Sequence, residues 1–211
     1  MKGTVIVLLF FIAGCIAGWS GLIDMGKFGE TWDKGTMCIL YVLIFTVGIG
    51  MGCNKDLKKI IKTLSPKLLL LPAATIAGAL LFSAILSFFL SRWSLSDCLA
   101  VGSGLGYYSL SSVLIAEYKE ASLGVRAASE LGTIALLVNI FRELFTLVAA
   151  QAMKRHFGPF APVASAGATA MDVCLPVILR VSGSEILPAA IVSGIICDFS
   201  VPFLVSFFCS F

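Results

Sequence analysis

Charge is what this sequence has least of. Only 13% of its 211 residues are Asp, Glu, Lys or Arg, about half of the ~25% usual in soluble domains. That deficit excludes an ordinary water-soluble domain and directs the reading to a membrane. Histidine occurs once, as His156, which excludes a His-rich metal centre. Seven cysteines stand at 15, 38, 53, 98, 174, 197 and 209 with no CxxC pair among them. They read as small apolar residues within helices rather than as a redox or metal site. The sequence contains no HExxH zinc motif and no GxxxxGK[ST] phosphate loop, so neither a zinc hydrolase nor an ATP-driven machine is indicated. The net charge is only +3, and no basic tract is interleaved with aromatics, so nucleic acid is not a partner to expect. No metal or cofactor site is expected.

What the chain does have is apolar length. It is 59% hydrophobic, with a mean hydropathy of +1.02. A helix that crosses a bilayer needs about 20 mostly apolar residues. Segments 4–22, 36–53, 68–90, 127–153 and 185–211 meet that length. The first begins "MKGTVIVLLFFIAGC", which resembles a lipoprotein signal. The apolar run continues past Cys15, so it reads as a retained transmembrane helix.

Two further apolar stretches are of another kind. Segment 96–117 carries Gly102, Gly104 and Gly106 beside a serine run. Segment 159–180 carries three prolines, Gly167, Thr169 and Asp172. Glycine and proline weaken a continuous helix, so both should break near their centres. Irregular backbone at membrane depth survives only where protein or a wet cavity satisfies it. Broken segments of this sort point to a transporter's binding site. Each is followed by a long helix, and "GYYSLSSVLI" aligns with "TAMDVCLPVI" 63 residues later, a weak internal repeat. The fold class expected is an all-α polytopic membrane protein. It has about five spanning helices plus two broken, re-entrant hairpins related by a pseudo-inverted repeat. Full spans in place of the hairpins are the competing arrangement, and Lys/Arg counts do not choose between the two. Domain organisation follows: a three-helix scaffold unit at 1–92 and a transport unit at 93–211. Lys55, Lys58, Lys59, Lys62 and Lys67 make the 53–67 loop cytoplasmic. That places the N-terminus inside and the C-terminus outside.

Charge at the bilayer centre costs at least ~2.5–3.5 kcal/mol, so acids at that depth need a role or a partner. Arg142, Glu143, Asp172 and Asp198 fall there. Gly132, Leu136, Asn139 and Glu143 share one helical face. Glu143 and Asp172 are candidates for binding a solute or a proton, and Asp172 also suits an N-cap for the limb that begins at 173. Arg142 reads as a structural bridge. Ser109, Ser111 and Ser112 start a limb after a glycine break, where free N–H groups favour a carboxylate. Tyr107 and Tyr108 either cover a solute or mark packing. Asp198 has no evident partner.

The motifs "GSGLGYYSL" at 102–110, "NIFRE" at 139–143, "AGATAMDVCLP" at 166–176 and "PAAIVSG" at 188–194 together resemble the LysO family of bacterial lysine exporters. The family's motif residues fall on Tyr108, Ser109, Asn139, Arg142, Glu143, Thr169, Met171, Asp172 and Pro176. Ala170 stands where the family often has serine, and Tyr107 where it often has tryptophan. The resemblance implies a non-enzymatic exporter of L-lysine and its analogues across the bacterial inner membrane. With no ATP motif in the sequence, the function expected is secondary active export of L-lysine and related cationic amino acids by exchange for protons. The expected solute site is Tyr108, Ser109, Ser111, Ser112, Asn139, Glu143, Gly167, Thr169 and Asp172, with Glu143 and Asp172 carrying a coupled proton. Family members carry a further three-helix unit before the region that begins here, so a small three-helix membrane protein is an expected partner. A homodimer and an elevator-like arrangement are further expectations by analogy. The alternatives are a passive channel, a non-transporting subunit, or an intramembrane hydrolase built on Asp172 and Asp198. The hydrolase lacks the GxGD signature.

Overall fold

The computed structural model of the chain describes residues 66–211, together with Ala13, Ile16 and Val42. The expected spans at 4–22 and 36–53 therefore lie outside the described residues except at those three positions, as does nearly all of the lysine-rich loop. The chain divides into two compact units, Met1–Cys53 and Asn54–Phe211, and the helices below belong to the second.

Among the described residues there is no strand. The helices are α1 (Pro66–Ser87), α2 (Leu95–Gly102), α3 (Tyr108–Tyr118), α4 (Glu120–Leu123), α5 (Val125–Phe157), α6 (Ala161–Ala166), α7 (Leu175–Ser182) and α8 (Leu187–Cys209), with a 3₁₀ turn at Gly167–Met171 between α6 and α7. Among the described residues three stretches are long and apolar enough to cross a membrane: Leu68–Ser87, Val125–Phe157 and Ser184–Cys209. The chain is thus a helical, multi-pass membrane protein. Both interrupted stretches break where their glycines and prolines predict.

The long helix α5 organises the rest. Its inward face carries Ala128, Gly132, Ala135, Asn139, Glu143, Thr146 and Ala150, spaced three or four apart as one helical stripe requires. Its opposite face presents Phe141, Phe145 and Val148, all more than half exposed. Apolar exposure of that kind suits lipid and would be out of place in water. Helices α3 and α6 pack on the inward face of α5, while α8 packs against the 3₁₀ turn and against α1, α2 and α3.

Each broken stretch is closed at its outer end. Asp97, near the start of α2, pairs with Lys119, just past α3, at 2.9 Å, and each side chain is only 3% exposed. The stretch therefore returns to the neighbourhood of its own beginning. Asp97 also completes a capping box with Ser94, whose hydroxyl accepts from the Asp97 N–H while the carboxylate accepts from the Ser94 N–H. Burial opposes the charged form of Asp97, but hydrogen bonds from Lys119 and Ser94 outweigh it and hold the carboxyl below its usual range. In the second stretch, Lys154 at the end of α5 donates to the Val181 carbonyl near the end of α7, at 2.7 Å. Arg92, between α1 and α2, pairs with Glu130 near the start of α5 at 2.5 Å. The two closures thus sit toward opposite ends of α5, whose 33 residues rise about 50 Å.

Candidate functional site

The two breaks meet. The Ala168 N–H donates to the Leu105 carbonyl at 2.8 Å, joining the tip of one stretch to the tip of the other. The approach is close because Gly167 has no side chain: a Cβ there would lie 2.3 Å from the Leu105 oxygen, and its φ is +63°. Only glycine takes that backbone without strain. Leu105 itself has φ +44°, an uncommon conformation for a residue with a side chain, and it is fully buried.

Side chains of α5 hold each tip through the backbone groups that the breaks leave unbonded. The Asn139 Oδ1 accepts from the Gly106 N–H at 2.7 Å. Its Nδ2 donates to the Ala135 carbonyl at 2.8 Å and reaches the Ser111 hydroxyl at 3.5 Å. One turn further on, Arg142 donates through Nε to the Ser165 carbonyl at 2.7 Å and through Nη2 to the Ala164 carbonyl at 3.2 Å. Those carbonyls end α6 and have no helical donor left. A guanidinium presents fixed, forked donors that suit them. Thr146 adds a hydroxyl contact to Ser165 at 2.7 Å.

Beside the joined tips lies a cavity of about 220 Å³. Gly106, Tyr107, Tyr108 and Ser109 line it from the first stretch. Ala168, Thr169, Met171, Asp172 and Val173 line it from the second, Glu143 from α5 and Asp198 from α8. Five of the nine residues expected at a solute site therefore converge: Tyr108, Ser109, Glu143, Thr169 and Asp172. Glu143 is fully buried. The Thr169 hydroxyl donates to the Ala166 carbonyl at 3.1 Å. The other four are not among the residues that line it. Asn139 is committed to backbone and to Ser111, and the Ser111 hydroxyl donates to the Tyr107 carbonyl at 2.8 Å. Gly167 forms the tip contact, and the Ser112 carbonyl lies against Gly132 of α5. The N-cap reading of Asp172 is corrected: the cap position of α7 is Cys174, with no side-chain bond. The Asp172 carboxylate instead accepts from the neighbouring Val173 N–H, because its backbone at φ −131°, ψ −90° turns it off the helix start.

Tyr107, whose sequence position fits either packing or a solute cover, and Asp198, which has no evident partner in the sequence, both line the cavity. The spacing of Asp198 from Pro202 was the available signal. Nothing local in the sequence links Asp97 to Lys119, although Ser94-x-x-Asp97 has the form of a capping motif. A larger, open pocket of about 710 Å³ lies by Arg92, Arg126 and Glu130. It contains none of the tip residues, and the small cavity is the chemically equipped one. Among the described residues no three His, Cys, Asp or Glu side chains are grouped as metal ligands.

Broken helices meeting over a carboxylate-lined cavity, within a multi-pass helical membrane protein, are the plan of a solute-handling membrane protein. The sequence model of the family "Lysine exporter LysO" matches residues 8–209, and the chain belongs to that family. It is 32% identical over 198 residues to the lysine exporter LysO of Escherichia coli K12, covering 93% of this chain and 61% of that protein. It is 33% identical over 202 residues to a putative lysine exporter of Haemophilus influenzae, covering 95% of each. The chain thus spans about three-fifths of the first relative and nearly all of the second. No solved structure matches.

Proposed function

We propose that the chain forms the solute-handling part of a secondary exporter of L-lysine and related cationic amino acids in the bacterial inner membrane, driven by exchange for protons. The observation that carries this reading is the meeting of the two broken stretches, Ala168 N–H on Leu105 carbonyl, beside a cavity that holds Glu143 and Asp172. The names of the two relatives supply the solute.

In this reading 95–118 and 161–182 are re-entrant hairpins that enter from opposite membrane faces as an inverted pair. Their separate closures, Asp97 to Lys119 and Lys154 to Val181, support it. Limbs of 8 and 11 residues, α2 and α3, rise about 12 and 16 Å, enough to reach mid-bilayer. With the segments at 4–22 and 36–53 there are five spans, an inside N-terminus and an outside C-terminus. Residues 1–92 serve as scaffold and 93–211 as the transport unit. A further three-helix unit, on this chain or another, completes an elevator-like transporter that pairs as a homodimer.

The solute's α-carboxylate docks at the N-terminus of α3, where Ser109 lines the cavity, and near Thr169. Its ammonium groups meet Glu143 and Asp172 beneath Tyr108. A monocation leaving a negative interior climbs ~2.3 kcal/mol per 100 mV. One proton entering for each lysine leaving cancels that charge, and the pH gradient then drives export. A buried carboxylate that alternates between proton and ammonium performs the exchange; Glu143 is the first candidate and Asp172 the second.

The test is lysine flux in proteoliposomes, with and without a three-helix partner, under imposed pH gradients. Uphill flux coupled to protons is expected, and Glu143→Gln should abolish the coupling. Downhill flux alone would mean a channel. A Glu143→Gln protein with unchanged pH dependence would remove Glu143 from the coupling role.

A further inference from the structure

Asp198 is an acid that the exchange mechanism above does not use. It sits at the middle of α8 and lines the same cavity as Glu143 and Asp172. Each of the three carboxylates comes from a different wall: Glu143 from α5, Asp172 from the second break and Asp198 from α8. Helix α8 packs on the 3₁₀ turn and on α1, α2 and α3, so Asp198 enters the cavity from another side than Glu143. Pro202 stands four residues after Asp198 inside α8. Proline has no N–H, so the main-chain carbonyl of Asp198 lacks its usual helical donor. The residue thus presents acceptors, its carboxylate and its main-chain carbonyl, and an ammonium group offers only donors. The cavity's 220 Å³ is the space of about seven waters, the scale of one free amino acid and not of a peptide.

We propose that Asp198 is a specificity-determining residue, which together with Asp172 holds the side-chain ammonium of a dibasic amino acid on the α8 side of the cavity. The inference rests on the exporter reading. It divides the labour: Glu143 handles the α-amino end and the proton, while Asp198 measures side-chain length and charge. A neutral analogue such as norleucine leaves Asp198 desolvated and unpaired, and so is rejected.

The experiment is counterflow of labelled lysine into proteoliposomes, competed with norleucine and with ornithine, which is one methylene shorter. In the unsubstituted protein norleucine should compete poorly. Asp198→Asn should raise the KM for lysine at least about tenfold and erase the lysine-over-norleucine preference, with a smaller change in maximal rate. Asp198→Glu advances the carboxylate by one methylene and should shift preference from lysine toward ornithine, which keeps the proposal testable if Asp198→Asn does not fold. Unchanged preferences in both folded variants, or a changed pH profile with unchanged KM, would overturn it. Sodium-dependent lysine binding lost in Asp198→Asn would also overturn it, by making the residue an ion ligand. Absence of lysine flux in the unsubstituted protein would remove the exporter reading itself and this inference with it, an outcome distinct from the others.

Discussion

The two interrupted stretches reach the same point by different means. The first breaks over residues 103–107, leaving an N–H at Gly106 that an amide oxygen from Asn139 accepts. The second breaks through a 3₁₀ turn, leaving carbonyls at Ala164 and Ser165 that a guanidinium from Arg142 supplies with donors. One helix, α5, provides both partners within a single turn, and the type of each matches the orphaned backbone group. Their outer ends differ as well. A fully buried ion pair closes the first, whereas a single lysine-to-carbonyl bond closes the second. Two interrupted stretches thus reach one meeting point, while the side chains that hold each tip differ according to what its break exposes.

That comparison can be broken experimentally at its shared point. Gly167→Ala should have the largest effect, because the new Cβ would meet the Leu105 oxygen and the backbone has a positive φ. A loss of more than about 3 kcal/mol is expected, seen as a lowered unfolding temperature in detergent together with lost flux.

The first closure comes next. Asp97→Asn leaves Lys119 buried and uncompensated, at a cost of about 3–5 kcal/mol, while the double change Asp97→Leu with Lys119→Met should recover most of the loss. The same pair makes stability depend on acid. Its carboxyl is held below the usual range, so the contribution is complete above the unfolded value of about 3.9 and falls away as pH drops through the folded value. Unfolding followed against pH should show that acid-side loss in the unsubstituted protein and not in the double variant.

Smaller effects separate the two tip supports. Asn139→Ala removes the acceptor for a buried N–H and should cost about 1–3 kcal/mol, with faster amide exchange at Gly106 but not at Ala168. Lys154→Met, which removes the second closure, should cost about 1 kcal/mol. Equal losses for Lys154→Met and Asp97→Asn would contradict the asymmetry drawn above.

Much of this was legible in the sequence, and the reasons are local. The glycines at 102, 104 and 106 and the glycine and prolines of 159–180 announce their own breaks, since they act on the backbone at their own positions. The stripe through Gly132, Asn139 and Glu143 is likewise a matter of spacing on one helix. Other features depend on residues far apart in the chain. Nothing within "NIFRE" says that Asn139 will accept from Gly106, 33 residues earlier, or that Arg142 will reach Ser165. Ser111, Ser112 and Asn139, which the sequence offers as solute-site residues, are therefore not among those lining the cavity. Asp198 joined the cavity from another helix for the same reason.

The central claim, that the two tips meet, is tested most directly by a disulfide. In a cysteine-free background, Leu105→Cys and Ala168→Cys are introduced together, with a protease site in the exposed 120–124 segment. The main-chain contact of 2.8 Å brings the two Cα atoms within the reach of ~7 Å that a disulfide needs. After oxidation in native membranes and cleavage, the two fragments should remain joined until reductant is added. Fragments that separate without reductant, from a folded and quantitatively oxidised protein, would contradict the account.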